Sequence, residues 1–240
     1  YQALWQWSID QPEPFWSSIW DFCDVIGDKG QQVMVESNIM AKTRWFPDAH
    51  LNYAENLLHG ALTLPAEQAA LVFWGEDKLK RQLTAAELRA AVSQCQQLLT
   101  ANGVQQGDRV AAFLPNSIEA IIAMLATSAL GAIWCSASPD FGADGVLDRF
   151  GQIDPKVLFC TNGYYYGGKW IDCEEKNAAV AKALPSLTAS FSIDYHAQDD
   201  CAFRTQLAQF PAKDIDFARL PFDHPLFIMF SSGTTGKPKC

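Results

Sequence analysis

Between Thr84 and Gly103 the apolar residues Leu88, Ala91, Val92, Cys95, Leu98 and Leu99 recur at helical spacing and line one face. Thr84 with Glu87 three residues on is the pattern of a capping box, and Gly103 closes the helix. Just upstream, "LVFWGEDKLKRQLT" carries two β-rich runs around Gly75-Glu76-Asp77, which predicts a hairpin. Downstream, unbroken apolar runs alternate with helix-spaced ones. A strand "RVAAFLP" precedes a helix Ser117–Leu130, and a strand "IWCSA" precedes a helix carrying Val146, Leu147, Phe150 and Ile153. A strand "KVLFC" then leads to a helix capped at Asp172 with Glu175, and "SFSIDY" and "LFIMF" are the last two strands.

Strands alternating with helices imply right-handed crossovers, so the fold class is α/β, a mainly parallel sheet flanked by helices. Apolar runs without alternation fit strands covered on both faces. Leu226–Phe230 is expected as a central strand, with the residues after it at its carboxyl tip. Asp199–His224, the least regular stretch, reads as a surface connection. Residues 1–60 differ: Trp5, Trp7, Trp16, Trp20 and Trp45 lie among Pro12, Pro14 and Pro47, and such a segment wraps a larger body rather than forming a core alone. The expected organisation is a Trp-rich arm over 1–60 and an α/β lobe over 61–240.

Ala120–Ala137 carries no charge over eighteen residues. Gly131, the alanines and the hydroxyls dilute it, and Asn116 with Glu119 opens it as a capped helix. It is expected as a buried helix running into a buried strand, with no membrane span. The start, "YQALWQWSID", lacks the basic and apolar regions of a signal peptide, and the missing initiator Met suggests a trimmed or renumbered start.

The chain has 240 residues, 49% hydrophobic and 19% charged, with a net charge of −9. No run of Lys and Arg supplies a nucleic-acid face, so any anionic ligand must be held by a local device. Seven cysteines and four histidines occur without ligand-like spacing, which predicts no metal site. Scattered single cysteines fit a reducing, cytoplasmic setting.

A local device stands in "FIMFSSGTTGKPKC". Ligands of open α/β sheets bind beyond the carboxyl ends of strands. There, Gly233 and Gly236 permit tight turning with N–H groups close to an anion; Ser231, Ser232, Thr234 and Thr235 add hydroxyls; Lys237 and Lys239 add charge. The phosphate loop of the Walker type fails, because Pro238 follows Gly236-Lys237 and Ser231 stands where its first Gly belongs. A glycine triplet of the dinucleotide type follows no strand, and "GYYYGGK" has the wrong spacing. Composition alone leaves two readings of the loop, a solvated turn or a phosphate cradle.

The order of residues separates them. "SSGTTGKPK" resembles the phosphate-binding signature of the adenylate-forming superfamily, which includes acyl-CoA synthetases, luciferases and peptide-synthetase adenylation domains. "GVQQGDRVAAFLPNSIEAIIAMLATSALGAIWCSASPDF" resembles the first lobe of that family's large domain. "WFPDAHLNYAENLL" resembles the amino-terminal block of its acetyl-CoA synthetase branch. "LNYAENLL", "LWQWSIDQPEPFW" and Cys240, where the superfamily usually has Gly, look most like acetoacetyl-CoA synthetases.

The resemblance implies an ATP-dependent acid–CoA ligase with ATP, Mg²⁺ and coenzyme A as co-substrates and a small acid, acetoacetate, as substrate. Another short-chain acyl-CoA synthetase and a non-catalytic nucleotide- or coenzyme-A-binding module stay as alternatives. It implies that Ser231, Ser232, Gly233, Thr234, Thr235, Gly236, Lys237 and Lys239 meet the β- and γ-phosphates, with either lysine also free to point to solvent. In the acetyl-CoA branch two basic residues follow the strand matching "KVLFC" and meet the coenzyme's phosphates. Lys169 holds the second of these positions and Tyr166 replaces the first. For Tyr164–Tyr166, stacking on adenine and plain packing are both open. Family members are much longer, and their acyl and adenine pockets, Mg²⁺-binding acid and catalytic lysine lie beyond the matched region. The expectation is an amino-terminal fragment that holds no catalytic residue and is inactive alone; the oligomeric state is not implied.

Overall fold

The computed structural model describes residues 1–62, 64–65, 67–196, 202–231, 236 and 238–240, with backbone alone at 61 and 62. Helices α1 (Gln2–Asp10) and α2 (Pro12–Phe22) open the chain. Four two-residue strands follow, β1 (Gly27–Asp28), β2 (Met34–Val35), β3 (Arg44–Trp45) and β4 (His50–Leu51), and then α3 (Tyr53–Leu62). A hairpin of β5 (Ala69–Gly75) and β6 (Leu79–Thr84) feeds α4 (Ala85–Ala101). The alternating section is β7 (Arg109–Phe113), α5 (Ile118–Ala129), β8 (Ile133–Ala137), α6 (Ala143–Phe150) and β9 (Val157–Thr161). A second hairpin, β10 (Gly163–Tyr166) and β11 (Lys169–Asp172), precedes α7 (Glu174–Ala183) and β12 (Ala189–Ile193). The described chain ends with α8 (Ala202–Leu207), β13 (Leu220–Pro221) and β14 (Phe227–Ile228).

Five strands form one parallel sheet in the order β12-β9-β7-β8-β14. Its pleat sorts the apolar runs onto two faces. Val110, Ala112, Trp134 and Phe159 face a layer built from α3, α4, α5 and α8. Ala111, Phe113, Cys135, Leu158 and Cys160 face α6 and α7. The doubly covered parallel sheet is therefore as expected from unbroken apolar strands, and burial of both faces is its main source of stability.

Thr84 and Glu87 form the anticipated reciprocal capping box. Helix α5 differs at its start: Ser117 Oγ accepts the Ala120 N–H, while Glu119 is buried against Arg81. Among the described residues no helix is long and apolar enough to cross a membrane. Helix α7 begins later than anticipated, with Cys173 at its cap and Asp172 Oδ1 accepting the Glu174 N–H at 2.9 Å.

Two expectations are corrected by packing. The supposed surface connection holds α8, which buries Phe203 and Leu207, and continues through buried Ile215 and Leu220. "LFIMF" pairs regularly over Phe227–Ile228 alone, and that strand is the sheet's edge among the described residues, bonded on one side to β8. Met229 is 79% exposed there, and Ile228 and Phe230 pack against the α6–α7 layer.

In the amino-terminal segment Trp20 is buried with Phe46 and Ala49, whereas Trp5 and Trp16 are exposed and no residue of α1 is fully buried. The segment is tied to the lobe by Ala54 and Leu58, which enter the main core, and by the ion pair of Glu55 with Arg219. Asn56 exchanges two hydrogen bonds with the backbone of Ile26, and Asn52 caps α3 through the Ala54 N–H.

Candidate functional site

β14 runs parallel to β8, with Phe227 beside Trp134 and Ile228 beside Cys135, so the chain after it emerges next to the carboxyl end of β8. Ser231 then turns back onto Lys239: its N–H donates to the Lys239 carbonyl at 3.0 Å and its hydroxyl to the same oxygen at 3.3 Å. Gln152, just beyond α6, donates Nε2 to the Pro238 carbonyl at 2.8 Å. These bonds close the neck of a loop from Ser231 to Lys239. Gly236 is exposed, and a Cβ there would meet nothing within 4 Å, so its backbone is approachable. Ser232, Gly233, Thr234, Thr235 and Lys237 lie outside the described residues. Ser231 and Lys239 are thus tied together beyond a strand's carboxyl end, where an open α/β sheet takes its ligand.

Lys169 and Tyr166 rise from the same end of the sheet. β9 passes directly into β10, and Tyr166 pairs with Lys169 across the turn Gly167-Gly168. Both glycines have positive φ, +58° and +75°, the two-residue primed type that suits strand twist. Tyr166 is 70% exposed and Lys169 is exposed. The other face of the hairpin carries Tyr165 and Trp170, which pack on Tyr195 and His196; Trp170 stacks 4.3 Å from the His196 ring. Three strand spacings separate the two groups, about 14 Å, so they share an edge without touching.

The segment after β8 packs toward α7. Asp140 is braced by Ser138 Oγ at 3.0 Å. Lys176 on α7 donates Nζ to the Pro139 carbonyl at 2.5 Å and lies 4.9 Å from the centre of the Phe113 ring. Burial, and then the hydrogen bond to the Asp140 carboxylate, push the Tyr164 phenol up. Burial also raises the Cys173 thiol, opposed by the nearby Lys176 ammonium. Among the described residues no group of three or more His, Cys, Asp or Glu side chains could hold a metal ion.

Sequence reasoning passed over Glu76, Gln152 and Lys176. Glu76 was legible only as a turn residue, yet it accepts the N–H groups of Gly167 and Gly168, each at 2.7 Å. The available signal was the Gly-Gly pair between β-rich triplets, "YYYGGKWI", which marks a hairpin whose outward N–H groups need acceptors.

Comparison with known proteins agrees with this architecture. The model of the family described as "AMP-binding enzyme" matches residues 59–240, and that described as "Acetyl-coenzyme A synthetase N-terminus" matches residues 1–57. The acetoacetyl-coenzyme A synthetase of Rhizobium meliloti (strain 1021) is 47% identical over 247 residues, covering 100% of this chain and 37% of that protein. The acetoacetyl-CoA synthetase of Danio rerio is 38% identical over 262 residues, covering 100% of this chain and 38% of that one. Among solved structures, the acetoacetyl-CoA synthetase from Streptomyces lividans superposes with a TM-score of 0.90 at 40% identity, covering 99% of this chain and 37% of that one. The chain therefore spans under two-fifths of the length of the relatives it matches.

Proposed function

The chain belongs to the AMP-binding enzyme family, and from that premise we propose that it is the amino-terminal part of a ligase joining acetoacetate to coenzyme A at the expense of ATP. The acid's carboxylate attacks the α-phosphorus of MgATP and pyrophosphate leaves. The coenzyme's thiol sulfur then attacks the acyl carbonyl, and AMP leaves with the electron pair of the broken C–O bond. Charge builds on the β- and γ-phosphates during the first step, and a preorganised set of donors lowers its cost. Ser231, Ser232, Thr234, Thr235 and the N–H groups around Gly233 and Gly236 are the donors in this reading, with Lys237 and Lys239 as cations. Thr234 and Thr235 carry the largest share. Lys169 and Tyr166 take the coenzyme's phosphates, and a long flexible thiol arm suits the gap between the two groups. Residues 1–60 act as an arm and 61–240 as the lobe that carries the site, in a cytoplasmic enzyme.

The observation that carries the reading is the 47% identity, over the whole of this chain, to 37% of a synthetase of that name, together with residues of the signature order after a strand's carboxyl end. The test is a substrate panel on the whole protein that carries this chain, read by pyrophosphate release with acetoacetate, acetate, propionate and butyrate. Acetoacetate should give the highest kcat/KM; preference for an unsubstituted acid would replace it with another short-chain ligase. Calorimetry of the whole protein addresses the binding-module alternative: affinity for ATP or coenzyme A without pyrophosphate release with any acid would establish it.

A further inference from the structure

The turn of the β10–β11 hairpin is held by a carboxylate from a distant part of the chain. Glu76 Oε1 accepts the Gly167 N–H and Oε2 the Gly168 N–H, both at 2.7 Å, from 91 and 92 residues away. Two acceptors thus meet two adjacent donors, short bonds of the charge-assisted kind. No neighbour crowds the position where either glycine would carry a Cβ, so the glycines are there for their positive φ and not for close packing.

Glu76 itself departs from ordinary backbone geometry, with φ +53° in the turn of the β5–β6 hairpin. A left-handed non-glycine residue is strained and persists only where its surroundings fix it. Here they do. A Cβ on Gly75 would collide with the Tyr195 hydroxyl, so that ring lies directly on the turn's backbone. Burial first, and then the Glu76 charge, raise the Tyr195 phenol. The aromatic underside of the second hairpin packs on the same ring, with Tyr165 6.1 Å and Trp170 5.9 Å from it. The hairpin is therefore fixed beneath by rings and at its tip by one carboxylate, and Tyr166 and Lys169 are left facing outward.

We propose that Glu76 is a positioning residue whose carboxylate clamps the Gly167–Gly168 turn and so presents Lys169 and Tyr166 to the phosphates of coenzyme A. This rests on the coenzyme reading of Lys169 and Tyr166 given above. Without the clamp the tip loses its only described acceptors, and the two side chains flanking it sample many directions before binding. Affinity for the coenzyme falls, while the phosphate loop on β14 is untouched.

The test compares Glu76→Ala, Glu76→Gln and Lys169→Ala in the whole protein. In Glu76→Ala, amide hydrogen exchange over 163–172 should rise about tenfold or more, as two charge-assisted bonds are lost, with β7 and β9 unchanged. KM for coenzyme A should rise about tenfold, while KM for ATP and kcat at saturating coenzyme stay as in the parent. Glu76→Gln keeps one acceptor and should fall between. Unchanged exchange over 163–172 overturns the clamp. Raised exchange with an unmoved or lowered KM for coenzyme A, in a protein where Lys169→Ala raises that KM, overturns the positioning role. If Lys169→Ala leaves that KM unmoved, the coenzyme reading fails instead, and the exchange result alone decides whether Glu76 holds the turn.

Discussion

Asn52 donates its side-chain amide to the carbonyl of Ala218, 3.0 Å away and 166 residues further along the chain. The same nitrogen lies 3.2 and 3.1 Å from the carbonyls of Ser128 and Ala129, at the end of α5, while its oxygen caps α3. One buried side chain thus joins α3, α5 and the connection leading to β13. Asn52→Ala removes the donor from carbonyls that stay buried and should lower unfolding free energy by about 2–3 kcal/mol in urea titration. Asn52→Asp should be worse, because it substitutes acceptors and a charge for the donor.

Arg81 and Glu119 make the buried ion pair that fixes the first hairpin on α5. Nη2 lies 2.5 and 2.6 Å from the two carboxylate oxygens, and the side chains are 8% and 3% exposed. Removing one partner leaves a buried charge, so Arg81→Met or Glu119→Leu alone should cost about 3–5 kcal/mol. The double variant should cost much less than the sum. Additivity in the double-mutant cycle would show that the pair is not coupled.

Glu87 titrates in a way that can be read out. Hydrogen bonds from Thr84, backbone first and then side chain, hold its carboxyl below the usual 4.5. A lowered folded-state value means that its contribution is complete above 4.5 and is lost as pH falls through that lower value. The stability gap between the parent and Glu87→Gln, measured by thermal unfolding, should be constant from pH 6 to 8 and close below pH 4. A gap that widens on acidification would reverse the sign and sink the assignment.

Thiol reactivity should follow burial. Burial raises Cys135 to about 12 and Cys160 to about 11 and pushes Cys95 up further. Cys23 and Cys240 are exposed. Iodoacetamide at pH 8 followed by peptide mass spectrometry should label Cys23 and Cys240 in the native chain, and Cys95, Cys135 and Cys160 only after denaturation.

Legibility followed the range of the interaction. The Thr84–Glu87 box was readable because both partners lie within one turn. Helix α8 was not, although Phe203, Leu207 and Phe210 sit at helical spacing, because the surrounding polar residues dilute a helix of six. Glu119 read as an acid of a helix's first turn, since nothing local announces that Arg81 lies across from it. The loop's residues were legible from their order; its neck was not, because Gln152 reaches Pro238 across 86 residues.

The amino-acid order by itself determined the doubly covered parallel sheet and placed a glycine- and hydroxyl-rich stretch after β14, because periodicity and composition are properties of neighbouring residues. Only the tertiary structure decided that this strand pairs with β8 and lies at the edge among the described residues, that Glu76 grips a turn 91 residues away and that Asn52 binds three distant carbonyls. Strand order and long-range hydrogen bonds depend on which surfaces meet once the helices have packed, and no local pattern encodes that choice.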